Sequence, residues 1–495
     1  MKKNHKNKLT ALFLAFVVCL SAALASCGEN TKDDTGEKPE ATSGAEAENE
    51  DSANKWEEAY PYPEHDFEGA VLNVLARKDN WADGSQDFDD ITVESVTGEV
   101  LNDAVYNRTK KVEEKYNVNV VVTPIADPTA TIQKTIKAGD DEYQLIQEKP
   151  VFMLATLAPQ NYLLDLQSVL GLNLDAPWYN QNAIKDLSIT NKITVLAGDM
   201  TVSDKSGIIF AIFNKKLAFD YGLENLYTTV NEGKWTLDKM YELMMATSAD
   251  LDGDGTMSKK TDQWGFICED YAGWMLATAS GNRLAELDSD GLPVMTCLSE
   301  KNIGDYERIK KVLYEKDSRA GVASTDEHFS IFSDSRSFFS VDVLSSIAAL
   351  RGMTDDFGII PLPKQDENQK DYISTISAWV SRFVAIPSTC ENPELVGAVI
   401  DALSRESANT VVPAYYDNLL NQKIARDEES IEMLRQIFAS VVYDIGAVFN
   451  WGGIWDQQQT FIQTKKEDYM GFYEKIEGKV TGELEKTIET MQQFG

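Results

Sequence analysis

Two stretches of this sequence carry residue types at spacings that could do chemistry. The first is Asp250-Leu251-Asp252-Gly253-Asp254-Gly255, with carboxylates at the first, third and fifth places and glycine at the sixth. This is the oxygen-rich pattern of a calcium loop, in which the glycine permits a sharp turn. Thr256 would give its backbone carbonyl at the seventh place. Thr261 stands where the pattern has a bidentate Glu, and Asp262, one residue later, is the expected substitute. A structural Ca2+ is therefore expected on Asp250, Asp252, Asp254, Thr256 and Asp262, with no other cofactor required. The alternative is an acidic turn after a helix, with Lys259 and Lys260 opposing a cation. The second stretch is Arg77-Lys78-Asp79-Asn80-Trp81, which offers cations, a carboxylate, an amide and an indole in one short loop. Such a set makes directed hydrogen bonds and presents a flat apolar face. Its alternative is a surface loop with Trp81 wedged against a helix. Beyond residue 27 the only histidines are His65 and His328, and no CxxC occurs. That argues against a His-rich zinc site and against a His-dependent catalytic triad.

Residues 1–8 hold four lysines and no acid, and residues 9–25 are almost wholly apolar. A charged start, a short apolar core and a small-residue exit describe an export signal. The exit, Leu24-Ala25-Ser26-Cys27, resembles the lipobox of bacterial lipoprotein signal peptides. That resemblance implies cleavage after residue 26 and a lipid on Cys27. The alternative is an uncleaved anchor; either way the chain is exported and held at a membrane. Cleavage leaves 42 basic against 80 acidic side chains, a balance of about −38. Phosphate-rich partners are repelled by such a chain, so nucleic acid is excluded as a partner. Past the lipid site only Cys268, Cys297 and Cys390 remain, too few for a disulfide framework.

Residues 28–55 are rich in Glu, Asp, Thr, Ser, Ala and Gly, and hold almost no large apolar side chain. They cannot bury enough surface to offset their ordering entropy, and are expected to be a tether. About 430 residues follow, more than the roughly 250–300 that share one core, so two lobes are expected. Residues 71–76 (VLNVLA) and 118–123 (VNVVVT) read as strands, and 143–147 as a third. Between them Leu101, Val105, Val112 and Tyr116 share one helical face, and 131–138 is helical. Strand, helix, strand, helix, strand implies a parallel α/β sheet. Such sheets hold ligands beyond the carboxyl ends of their strands, so the 77–84 loop faces a ligand site. Further strands are expected at 208–213, 264–267, 357–364 and 383–387. Thr236 is expected to cap a helix to about 247, and another helix at 393–403 opens a largely helical last third.

Several of these segments together resemble the extracellular solute-binding proteins of bacterial ABC importers, particularly the sugar-binding lipoproteins. They are the lipobox and then, within residue 66 to the C-terminus, LNDAVYNRTKKVEEKYNVNV, IIFAIFNKKLAFDYGL, GKWTLDKMYELM, DLDGDGTMSKKTDQWGF, FGIIPLPK and RFVAIPSTCENPELVGAVIDAL, in that order. The resemblance implies a two-lobed α/β fold of the periplasmic-binding-protein type, with ligand enclosed between lobes. It places a signal at 1–26, the lipidated Cys and acidic linker at 27–60, the first lobe at 61–207 plus 381–440, and the second at 208–380 plus 441–495. The chain is expected to cross near 207–210, return near 381–386 and cross again near 440–449.

Sugars pair apolar C–H faces with a rim of hydroxyls, so their clefts need aromatic rings and planar polar groups. The nine Trp and 19 Tyr can supply the rings. By resemblance, ligand contacts are expected from Asp79 and Trp81, from Asp199 after VLAGD, from Tyr271 and Trp274 in the second lobe, and from Asn450, with Trp451 or Trp455 as a stacking platform. The implied function is capture of a small polar solute, most simply a mono- or oligosaccharide, and its delivery to ABC permease subunits. The protein would act outside the cytoplasm, lipid-anchored to the cell membrane, and would not be an enzyme. The competing readings are a glycoside hydrolase, which needs two carboxylates about 5–9.5 Å apart across a cleft, and a surface adhesin, which needs no hinge. The mature chain is expected to begin at a lipid-bearing Cys27. Mass spectrometry of the native N-terminus checks this, and Cys27→Ala should release the protein from membranes.

Overall fold

In a computed structural model, the described residues are 60, 64–79, 89–314, 319–421, 425–463 and 468–493. The signal, Cys27, the linker to residue 59, Asn80 and Trp81 lie outside them. The strands in chain order are β1 (Ala70–Arg77), β2 (Val118–Ile125), β3 (Leu145–Glu148), β4 (Ile209–Asn214), β5 (Trp264–Cys268), β6 (Ala285–Leu287), β7 (Pro293–Met295), β8 (Ala320–Val322), β9 (Ser337–Val343), β10 (Phe357–Ile360), β11 (Ser374–Thr375), β12 (Phe383–Ala385) and β13 (Val441–Val442).

The first sheet runs β12-β3-β1-β2, with β1 parallel to both neighbours and β12 antiparallel to β3. Helix Val100–Tyr116 joins β1 to β2 and buries Leu101, Val105, Arg108, Thr109, Val112 and Tyr116, the expected face. It ends at Asn117, whose left-handed backbone (φ 47°) turns the chain directly into β2. Arg108 is buried within this face, where its two Nη groups donate to the carbonyls of Asp90, Ile91 and Met200 and to the Ser407 hydroxyl. Helix Pro128–Ala138 starts with Asp127 accepting the Ala130 N–H and Pro128 in its first turn, and leads to β3. After β3 the chain makes short helical turns over residues 150–160.

The second sheet runs β10-β4-β9-β5-β8, antiparallel on the β10-β4-β9 side and parallel on the β9-β5-β8 side. Every residue of β4, β5 and β9 is buried, as expected for central strands covered on both faces, and edge strand β10 is buried as well. Helix Leu237–Thr247 forms where the sequence places it, capped by the Thr236 hydroxyl.

Two chain segments connect the sheets side by side. Ser377 N–H donates to the Gly207 carbonyl at 2.8 Å, Ser381 Oγ to the Asp204 carbonyl at 2.8 Å, and Arg382 N–H to the Ser203 carbonyl at 3.2 Å. Ile208 and Ile376 form an antiparallel bridge, and Leu344 N–H donates to the Ile208 carbonyl. A third connection runs through β13, which pairs with β11. It is held by Asn182 Nδ2 on the Val441 carbonyl and by Asp186 accepting the Tyr443 N–H.

One helix packs across the lobe division drawn from sequence. Helices Pro393–Asn409 and Val411–Asn421 pack on helix Val100–Tyr116, whereas helix Glu428–Ala439 packs on β10 of the second sheet. Ser430 Oγ accepts the Ile359 N–H there, and Lys215 of the second lobe pairs with Asp427. Helix Glu428–Ala439 thus touches the second sheet before the chain reaches the third connection at β13.

Gly207 is the tightest point of the paired crossing. A Cβ there would lie 2.5 Å from Ser381 Oγ, 2.7 Å from Ser381 N and 2.8 Å from the Ser377 carbonyl. Gly207→Ala is expected to destabilise by about 1–3 kcal/mol through overpacking, read as a lower urea midpoint.

Candidate functional site at the ends of the first sheet

Parallel pairing brings the carboxyl ends of β1 and β3 to one edge of the sheet. The register sets Ala76 opposite Gln147, so the next residues, Arg77 and Glu148, meet. Arg77 Nε lies 2.5 Å from Glu148 Oε1, and Nη2 lies 2.8 Å from Oε2, a bidentate pair. Glu148 is fully buried and also accepts the Thr129 hydroxyl and the Lys149 N–H. On the other side, Phe383 is opposite Glu148 in the antiparallel pair, which brings Arg382 beside Lys149. These two cations share Asp79: Lys149 Nζ is 2.8 Å and Arg382 Nη2 is 3.4 Å from its Oδ2. Asp79, expected as a ligand contact, thus sits at the centre of a charge network at the mouth of the sheet.

Aromatic side chains continue from this network. The Arg77 guanidinium lies over the Phe152 ring, 5.0 Å from its centroid, and Phe152 meets Trp379 edge-on at 5.6 Å. Trp379 stands on the returning crossing segment and is 45% exposed, unusual for an indole. It lines a small recess, 20 Å3 in volume, with Trp274 and Trp455 of the second lobe, Ser377, Tyr443 and Asp444. Trp274 and Trp455 meet edge-on, their centroids 5.8 Å apart. Both indole N–H groups are buried without an acceptor among the described residues. A buried donor left unsatisfied costs about 1–3 kcal/mol, and the recess beside these two has room for about one water-sized group.

The structure separates the other expected contacts. Trp451 is buried, stacks on Phe449 at 4.9 Å and donates its N–H to Thr487 Oγ1 at 2.9 Å. It packs against the C-terminal helix; of the two tryptophans, Trp455 is the one that lines the recess. The Asn450 side-chain amide donates to Asp456, and its Oδ1 accepts the backbone N–H of Trp455. Asp199 lines a different groove, with Lys205 3.4 Å away. Tyr271 begins helix Ala272–Ala279, which carries Trp274. Burial first, then the nearby carboxylates of Asp342 and Glu269, hold its phenol far above the ordinary range, so it stays a neutral donor. Arg77, Glu148, Lys149, Trp379 and Arg382 were not singled out as contacts by sequence, except that Arg77 belongs to the expected loop.

The acidic loop forms as the spacing predicts. Carboxylate oxygens of Asp250, Asp252 and Asp254 lie within 4.8 Å of one another at the surface. Asp250 accepts the N–H groups of Gly253 and Gly255, and Asp254 accepts that of Thr256. Asp262 does different work from the one expected. It is buried, stands outside that cluster, and its two oxygens accept the Leu251 and Ser258 N–H groups, tying the ends of the loop together.

No family model matches the sequence, and no curated protein matches it. Solved structures do match. A cyclo/maltodextrin-binding protein in complex with maltotetraose is 14% identical with a TM-score of 0.55, the match covering 85% of this chain and 96% of that one. UspC of M. tuberculosis is 12% identical with a TM-score of 0.55, covering 83% of this chain and 100% of that one. The apo form of RafE from Streptococcus pneumoniae is 12% identical with a TM-score of 0.51, covering 86% and 98%. The chain has the two-lobed, periplasmic-binding-protein-like fold. The charge network at the ends of β1 and β3 reaches the returning crossing segment through Arg382, and the indole recess reaches it through Ser377 and Trp379. No helix among the described residues is long and apolar enough to cross a membrane.

Proposed function

We propose that this chain is a non-enzymatic solute-binding protein that captures an oligosaccharide between its lobes and delivers it to the permease subunits of an ABC importer. The observation that carries this reading is the pair of buried, unpartnered indole N–H groups of Trp274 and Trp455 beside the exposed ring of Trp379. A sugar would lay a C–H face on the exposed Trp379 ring and reach into the recess, which has room for about one hydroxyl-sized group, with a single oxygen for the N–H groups. The charge network around Asp79 adds directed, charge-assisted bonds at the first-lobe wall. The fold shared with a protein complexed with maltotetraose supports the same ligand class. In this reading the protein works outside the cytoplasm, held to the membrane by lipid on Cys27, and closes by hinge motion about the paired crossing segments.

Calorimetric titration against an oligosaccharide panel that includes maltotetraose tests it. Trp379→Ala and Trp455→Ala are expected to weaken binding by about 1–3 kcal/mol, taking base-on-aromatic stacking as the analogue. Trp274→Phe, which removes the N–H and keeps most of the ring surface, should weaken it by about 1 kcal/mol or more. Asp79→Asn weakens binding in the same direction, and Trp451→Phe leaves it unchanged. Cleaved products in the titration cell point to a hydrolase instead. Absence of binding across the panel removes the sugar reading.

The acidic loop is proposed to hold a structural Ca2+. Three converging carboxylates suit a hard cation that prefers oxygen, and their mutual repulsion is relieved by one. Asp250, Asp252 and Asp254 would hold it, with Asp262 anchoring the loop. Chelator is expected to lower the melting temperature and added calcium to restore it, because a ligand bound only to the folded state stabilises it. Asp252→Ala with Asp254→Ala should remove the difference; equal melting curves with and without chelator reject the site.

A further inference from the structure

The first crossing segment carries buried charge that the sugar-facing recess does not use. Asp199, Asp204 and Lys205 line a groove of 460 Å3, which Tyr416, Arg435 and Tyr443 complete. Lys205 Nζ lies 3.0 Å from Asp204 and 3.4 Å from Asp199, so two carboxylates share one ammonium. The side chains are 23% (Asp199), 8% (Asp204) and 12% (Lys205) exposed, so water screens them little. A third carboxylate, Asp90, lies behind them, accepting the Val202 and Ser203 N–H groups and the Gln147 amide. Arg108, beneath Asp90, is committed to backbone carbonyls.

The elements packed around the cluster do not supply the missing positive charge. Helix Val411–Asn421 contributes Tyr415 and Tyr416, and the third connection contributes Tyr443, with Asp186 beside it. Burial raises all three phenols above their ordinary range and keeps them neutral. Helix Glu428–Ala439 contributes Arg435, which is 51% exposed at the rim and paired with Glu432.

The groove is tied to the hinge in three ways. The Asp204 carbonyl accepts Ser381 Oγ from the returning segment. Tyr416 stands on a helix of the first lobe and Arg435 on a helix of the second, with the guanidinium 5.2 Å above the ring. Tyr443 lines both the groove and the indole recess, so the two spaces lie back to back across the crossing segments. We propose that the Asp199–Asp204–Lys205 cluster is a proton-linked switch at the hinge, in which one proton taken up by the carboxylate pair in mildly acidic solution cancels the charge that Lys205 leaves uncompensated and shifts the packing of the two lobes across the groove.

The direction follows from linkage. Burial pushes the Asp204 carboxyl up to about 6, against the pull of Lys205 and with a smaller push from Asp199 and Asp90; burial raises Asp199 as well. A carboxyl with a higher pKa folded than unfolded takes its proton first in the folded chain. Stability contributed by this group therefore rises as pH falls from above about 6 toward the ordinary carboxylate range near 4. Lys205 is lowered by burial but raised further by Asp204 and Asp199, and stays charged throughout.

The test compares melting temperature from pH 8 to pH 5 in wild type and Asp204→Asn, without ligand, so it does not depend on the sugar reading. The acidic chain as a whole gains from proton uptake, so the readout is the difference between the two profiles. Asp204→Asn should equal or exceed wild type at pH 8 and gain less on acidification, by about 2 °C or more. Asp199→Asn gives the same sign and serves if Asp204→Asn does not fold. Small-angle scattering at pH 8 and pH 5 reads the hinge: the radius of gyration should change in wild type and not in Asp204→Asn. Parallel melting profiles overturn the proton site, and an unchanged wild-type radius overturns its link to the hinge.

Discussion

The architecture depends on backbone hydrogen bonds between two chain segments that run past each other once. Residues 203–208 and 376–382 carry the chain out of one sheet and back, and their carbonyls and N–H groups find partners in each other. Segments joining two lobes belong to neither sheet, and unpaired polar backbone at a buried crossing costs more than most side-chain contacts contribute. The pairing solves this and sets how far apart the sheets sit. It also explains the glycine at 207, since any Cβ there meets the backbone of the partner segment.

The first-lobe wall of the cleft follows from strand register. Once β1 and β3 pair in parallel with Ala76 opposite Gln147, Arg77 and Glu148 are neighbours without further instruction. Burying a carboxylate costs several kcal/mol unless its partner geometry is very good. Here it is bidentate, and Thr129 and the Lys149 N–H occupy the remaining lone pairs. Asp79 is held the same way by two cations delivered from different strands. Polar groups fixed in this manner lose little freedom when they bind, which is what a specific but reversible binding surface needs.

The same chemistry acts in opposite ways at the two tryptophans near the C-terminus. Trp451 and Trp455 are four residues apart, and both are indoles in a polar, glycine-containing stretch. The left-handed turns at Asn450 (φ 50°) and Gly452 (φ 64°) throw them apart. Gly452 lets the C-terminal helix approach so closely that a Cβ would meet Val480 at 2.6 Å. That helix covers Trp451 and bonds its N–H, while Trp455 is left facing Trp274.

Local sequence determined much of this protein. Continuous apolar runs specified the central strands β1, β2 and β4, and one apolar stripe specified helix Val100–Tyr116, because burial on one or both faces imposes a period that composition reveals. The acidic loop was legible for the same reason: its hydrogen bonds lie within a dozen residues. What tertiary structure alone decided involves groups far apart in the chain. Register, not any motif, brings Glu148 to Arg77, and Lys149 and Arg382 to Asp79. Trp379 is an isolated indole among small residues, and only the crossing leaves it exposed. Helix Glu428–Ala439 carries an apolar face that would suit either lobe; Ser430 meeting Ile359 of β10 places it on the second. Asp199 follows a strand-like stretch as cleft residues do, yet the fold turns it into the groove behind the hinge. Periodicity tells which face of an element is buried, but not what it is buried against, because that depends on contacts hundreds of residues apart in sequence.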